Sequence, residues 1–392
     1  MRGVLLSCAL FMSLWVQGAT QLNVWHMLKE LDSDFSALAQ RFSNAHPDIS
    51  VSVQLLPNEE LKAAVIRAAD QPTAPDIIII SSDNLGYAPL MRLSELPVEL
   101  VDPALPADVM QALQFRQKNY GVPLFSGNHL LLLYNKRWVK QPVTDWQQLF
   151  DQQRRFASQG VNTLALNYQE PYWFALFADL FGAQLANHDS TTLNTAEMQQ
   201  ALEFYQRLAD TGVAQSECGY HCVSEAFYQG QYAYAINGSW ALADARRRLG
   251  DNLGVTLFPG WQGRTIKPHA SYIVMIFPHY ALDGSKAAQI KKLVQYFRQP
   301  VHLQALASKH YLTPSFQSPV TAEATTDPLY LQVQAQQRLS QLMPATEAMV
   351  SVWNGMQKGM LLHQARALNA ADAAAFMQKT AQRDQQLLAA GL

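Results

Sequence analysis

Hydrophobic positions in the first third of the chain switch between a period of two and a period near 3.6, which marks strands alternating with helices. Gln21 to Trp25 reads as a short strand, and Asp32-Ser33 opens a helix whose apolar face is Phe35, Leu38, Ala39 and Phe42. Strict alternation follows at Ile49, Val51, Val53 and Leu55, and after Pro57-Asn58 a helix carries Leu61, Val65 and Ala68. Pro75-Asp76 then introduces Ile77 to Ile80, four isoleucines with no polar break. A strand apolar on both sides must be covered on both sides. Residues 20–125 are therefore expected to form an α/β unit of parallel strands under helices.

A similar unit follows. Leu130 to Tyr134 is an apolar strand, Trp146 to Phe156 a helix, and Thr195 starts a longer helix that turns Met198, Leu202, Tyr205 and Leu208 inward and ends at Gly212. Tyr232 to Ile236 and Val255 to Phe258 read as further strands, and Ser285 to Phe297 as a helix burying Ile290, Leu293, Val294 and Phe297 before Pro300. From about Asp327 the chain is helical, rich in Gln, Ala and Leu, without a solenoid repeat.

Residues 1–19 depart from this pattern and read as an export signal. Arg2 supplies the positive start, Val4 to Val16 the apolar core, and Gly18-Ala19 the small residues before cleavage, so the mature chain is expected to start near Thr20 in the periplasm. Cys8 has too few residues before it for a lipoprotein signal. No later apolar run reaches the roughly 18–20 residues needed to span a bilayer as a helix. A length of 392 residues points to two lobes, and 49% hydrophobic against 15% charged residues excludes disorder. A net charge of −2 offers no field for nucleic acid. Cleavage would leave two cysteines, Cys218 and Cys222 in the run Cys-Gly-Tyr-His-Cys, and an oxidising compartment predicts a disulfide between them. A redox site would want two intervening residues, and a metal site using His221 would need ligands from elsewhere.

Catalytic signatures are missing. The ten histidines show no metal-ligand spacing, Asn237-Gly238-Ser239-Trp240-Ala241 lacks the flanking glycines of a nucleophile elbow, and no loop has a phosphate-cradling pattern. Aromatic residues beside polar turns are what stands out. Glu170-Pro171-Tyr172-Trp173 and Asn237-Gly238-Ser239-Trp240 each place an indole at an irregular junction, where it is expected to face a cleft. Such groups suit sugars, because an aromatic face covers the C–H face of a pyranose while carboxylates and amides take its hydroxyls.

Several runs carry a resemblance: Pro75-Asp76-Ile77-Ile78 with Asp83 after it, Leu133-Tyr134-Asn135-Lys136, Asn167 to Tyr172, Ala226-Phe227 through Gly230 to Trp240, Gly254-Val255-Thr256, Lys267-Pro268, and Met343-Pro344 followed by Trp353. In order, and over nearly the whole mature chain, these resemble the extracellular solute-binding proteins of the large carbohydrate-binding type, its maltose-binding members above all. The resemblance implies a two-lobed α/β fold with discontinuous lobes, a hinge and a ligand cleft between them: 20–126 with 275–317, and 127–274 with 325–392. Carried over residue by residue, the ligand contacts fall on Asp83, Asn128, Glu170, Tyr172, Tyr220, Trp240, Met343 and Trp353. It further implies no enzymatic step, no cofactor and no metal, a monomer, a small carbohydrate ligand and an ATP-driven permease as partners. A sensory binding protein serving a membrane receptor or kinase, and an exported glycan-processing enzyme, are the rival readings.

Some positions depart from the maltose-binding pattern. Ile80 stands for a tryptophan, Asn84 for an arginine, Asn128 for an acid, Gln357 for another arginine, and His26-Met27-Leu28-Lys29-Glu30 for a polar run. Maltose itself is therefore not expected to be the ligand.

Overall fold

The computed structural model describes residues 19–389 apart from 69–70, 72, 188–189 and 316–325. The expected export signal, but for Ala19, lies outside them. Two mixed sheets organise the chain. In the first, the strands run in the order Thr313–Pro314, Val122–Gly127, His269–Ile276, Ile77–Ser81, Thr20–His26 and Ile49–Leu55, and Gln341–Leu342 pairs beside the start of His269–Ile276. Thr20–His26 is parallel to both of its neighbours, whereas His269–Ile276 is antiparallel to Ile77–Ser81 and to Val122–Gly127. The second sheet runs Leu253–Thr256, Leu130–Asn135, Tyr232–Gly238, Asn162–Ala165.

Burial follows the hydrophobic pattern. All five residues of Ile77–Ser81 are buried, as an apolar run between two helical layers requires. Ile49–Leu55 is an edge strand, and of its alternating apolar residues only Ile49 is fully buried. Helix Asp32–Ala45 buries Phe35, Leu38, Ala39 and Phe42. Thr195 caps helix Ala196–Asp210 by accepting from the Met198 N–H, and that helix turns Met198, Leu202, Tyr205 and Leu208 inward.

Two lobes result, because the buried residues around each sheet form separate cores. Those of the first sheet run from Leu22 to Phe125 and from Ile273 to Leu312; those of the second run from Leu130 to Ile266 and from Leu329 to Ala381. Helices Glu347–Gln364 and Ala370–Ala389 belong to the second core and lie unusually close together. A Cβ at Gly355 would stand 2.6 Å from the Met377 carbonyl oxygen, so the contact needs a residue without one.

Candidate functional site

Strand Val122–Gly127 of the first sheet runs directly into Leu130–Asn135 of the second, and the turn between them sets the geometry of the site. Gly127 has φ of 115° and Asn128 φ of 42°, a tight reversal that only small or amide side chains tolerate well. The Asn128 amide donates to Ser271 Oγ at 2.7 Å, which ties this crossing to the return strand His269–Ile276. Both crossings meet at one hydroxyl: Tyr172 OH lies 2.9 Å from the Asn128 carbonyl and 3.1 Å from the His269 carbonyl. Burial, with the Asp83 carboxylate next in weight, pushes the Tyr172 phenol far above its ordinary value, so it stays a donor. His129 and His269 flank the two crossings, and burial pulls each down to about 4.

Tyr172 sits on the first turn of helix Pro171–Phe181, whose start is set by Pro171 and by the Glu170 carboxylate accepting from the Tyr172 N–H at 3.5 Å. Around its ring stand Trp240, 6.3 Å away, and Trp353, 6.4 Å away. Trp240 follows the buried strand Tyr232–Gly238, and its indole folds back over Gly238, where a Cβ would stand 2.2 Å from the ring. Its Nε1 donates to Tyr220 OH at 3.1 Å, and Tyr220 OH donates in turn to Glu30 Oε1 at 3.5 Å. Glu30 lies in the turn Lys29–Leu31 of the first lobe. This chain of hydrogen bonds therefore joins the lobes, and burial raises the Glu30 carboxyl.

Of the eight predicted contacts, Tyr172, Trp240, Trp353 and Tyr220 thus form one aromatic wall on the second lobe. Glu170 stands at its edge, and Asn128 at the crossing. Asp83 is placed opposite, in the turn Ser82–Tyr87 of the first lobe; burial holds its carboxyl up, against hydrogen bonds from Ser81 and Ser271 and the charge of Lys62. Met343 is buried in the second core, its N–H bonded to the Ala270 carbonyl.

Three expectations need correction. The two indoles of the quoted motifs do not share a role: Trp173 is a core residue, 5% exposed, with Nε1 donating to the Ile236 carbonyl at 2.8 Å. It occupies the third position of a regular helix, which rotates it away from Tyr172 and into the sheet. Second, Cys218 and Cys222 are free thiols. Cys218 is satisfied as a thiol by hydrogen bonding with Cys222 and Tyr232, and burial pushes it up to about 12, where little thiolate forms. Third, Ile80 is a fully buried residue of the sheet, not a cleft wall, and Asn84 turns inward to bond Ser81.

Sequence reasoning named Leu28 and Glu30 only inside a departing run and did not name Leu31 as part of the site. All three face the second lobe's wall. Leu28, Leu31 and Trp240 line a space of about 310 Å³, open solvent included, beside Asn128. A turn whose side chains meet another lobe carries no periodic signal. Gln357 was noted as a lost cation; its amide donates to the Gln169 carbonyl at 3.0 Å and so supports the loop that presents Glu170.

Among the described residues no group of three His, Cys, Asp or Glu side chains is placed to hold a metal ion, and no helix is long and apolar enough to cross a membrane. Two lobes joined by crossing strands, with an aromatic wall at the crossing, describe a binding protein that holds a small molecule between its lobes. The family model described as bacterial extracellular solute-binding protein matches residues 37–332, and the chain belongs to that family. The maltose/maltodextrin-binding domain MalE from Bdellovibrio bacteriovorus, solved with maltotriose bound, is similar in structure: TM-score 0.87 and 22% identity, with 94% of this chain and 100% of that chain covered. The fold expected from the sequence, two α/β lobes with a cleft between them, is the fold observed. Family and fold are those of binding proteins, not of enzymes.

Proposed function

We propose that this protein captures a short saccharide or glycoside in the periplasm and delivers it, as a monomer, to an ATP-driven permease of the inner membrane. The observation that carries this reading is the aromatic wall of Tyr172, Trp240 and Trp353 with the Glu170 carboxylate at its edge and Asp83 facing it. Stacking faces next to acceptors are what a pyranose ring requires. The solute-binding family and the maltotriose bound by the similar domain support the same class of ligand. In this reading the lobes are 20–126 with 275–317 and 127–274 with 325–392, and an export signal ending near Ala19 is removed. No bond is made or broken. Ligand shifts the population toward the closed form because contacts to both lobes exist only there, and the closed form is what the permease reads.

A thermal-shift screen against a saccharide library tests the proposal. A ligand at 100 times its Kd raises stability by about 2.7 kcal/mol, a clear rise in Tm. A shift with at least one saccharide, which is recovered uncleaved by chromatography, is the expected result. A chain that ignores every saccharide and glycoside while responding to amino acids or peptides would overturn it.

A further inference from the structure

We infer that the ligand is a glycoside with an apolar aglycone, whose sugar ring lies on the Tyr172–Trp353 side of the wall and whose aglycone lies between Trp240 and the first lobe. This rests on the carbohydrate reading above and narrows it. The 310 Å³ space beneath Trp240 is faced, on the first-lobe side, by Leu28, Leu31, Phe125, Ile273 and Leu312. All five are members of one apolar core cluster, so the space continues that core up to the indole. Polar groups at its rim are largely committed to other partners. Asn128 spends its amide on Ser271 and its carbonyl on Tyr172, and Ser126 Oγ accepts from Gln337 at 3.0 Å.

A second glucose unit placed here would leave its hydroxyls without acceptors, which is costly in a site that excludes water. An alkyl or aryl group would lose nothing and would cover apolar surface. The second lobe is different: Glu170 and the hydroxyl of Tyr220 remain at the wall for the hydroxyls of one ring. Trp240 belongs to both halves of the site, one edge toward Tyr172 and the rest toward the leucines. The two halves together fit an amphiphilic ligand, polar at one end and greasy at the other.

Calorimetric titration of the mature chain with methyl, butyl, hexyl and phenyl glucosides and galactosides, beside the free disaccharides and trisaccharides, tests this. Affinity for one sugar series is expected to rise by about fourfold per buried methylene, so that the hexyl glycoside binds at least a hundredfold more tightly than the methyl glycoside. Leu28→Asn should cut hexyl glycoside affinity at least tenfold and leave methyl glycoside affinity within twofold. The chain-length series on the unaltered protein stands even if that variant folds poorly. Equal affinity across alkyl lengths, or tighter binding of free trisaccharides than of any alkyl or aryl glycoside, would overturn the inference and leave the carbohydrate reading intact. Failure of every sugar and glycoside to bind would overturn both.

Discussion

Among the tryptophans near the cleft, three neighbours in space do different work, and substitution separates them. Trp173 is 5% exposed and spends its N–H on a strand carbonyl, whereas Trp240 and Trp353 are only partly buried and flank Tyr172. Trp173→Ala should cost about 3–5 kcal/mol of stability through the cavity and the orphaned Ile236 carbonyl. Trp240→Ala and Trp353→Ala should each weaken ligand binding at least tenfold with a much smaller loss. Melting curves recorded beside binding isotherms check both halves of this. A large Tm drop for Trp240→Ala with unchanged affinity would make it a core residue instead.

Elements position the wall, and the helix that carries Trp353 is held by unusually close packing. Gly355 lies on Glu347–Gln364 where a methyl group would meet the backbone of Ala370–Ala389. Gly355→Ala should therefore destabilise the protein by about 1–3 kcal/mol, although alanine is the better helix former. The displaced helix should also lower ligand affinity through Trp353. Urea unfolding and titration of the same variant give both numbers; a stabilised variant would show that the helices can part without strain.

Scaled up to the whole molecule, the two crossings make stability depend on pH. His129 and His269 are held near 4 by burial, against about 6.5 in an unfolded chain. Between pH 6.5 and 4 the unfolded chain takes up protons that the folded chain refuses, so acid removes stability, about 3 kcal/mol per histidine by the bottom of that window. Asp83 and Glu30, whose carboxyls burial raises, act in the opposite sense near the lower end. The expected outcome is a urea midpoint that falls from pH 7 to pH 4.5, with a shallower fall in His269→Gln; a midpoint that rises on acidification would contradict it. Specificity is also a property of the assembled lobes. Ile80 is in the core, Asn84 is turned inward, Asn128 is engaged at the crossing and Gln357 is bonded to the Gln169 carbonyl, so four polar or stacking contacts to a glucan are lost. At about 0.5–1.5 kcal/mol for a neutral contact and twice that for a charged one, maltotriose should bind more weakly than micromolar. Calorimetry decides, and a micromolar or tighter constant would mean that other groups compensate.

What the sequence determined by itself was the local order: the four-isoleucine strand Ile77 to Ile80, the inward face of Asp32–Ala45 and the Thr195 cap all follow from periodicity and local hydrogen bonding, which neighbouring residues settle among themselves. The aromatic wall was legible as well, because its residues lie in runs that resemble a known family. Burial of Trp173 beside the partial exposure of Trp240 was not legible, since the two motifs look alike until a helix rotation and a strand end set their directions. The thiol state of Cys218 was equally hidden, because its partner Tyr232 comes from a strand 14 residues away. Tertiary structure alone brought Leu28, Glu30 and Leu31 against Trp240 and Tyr220, some 190 residues distant, because only folding the chain back across its hinge makes those surfaces neighbours.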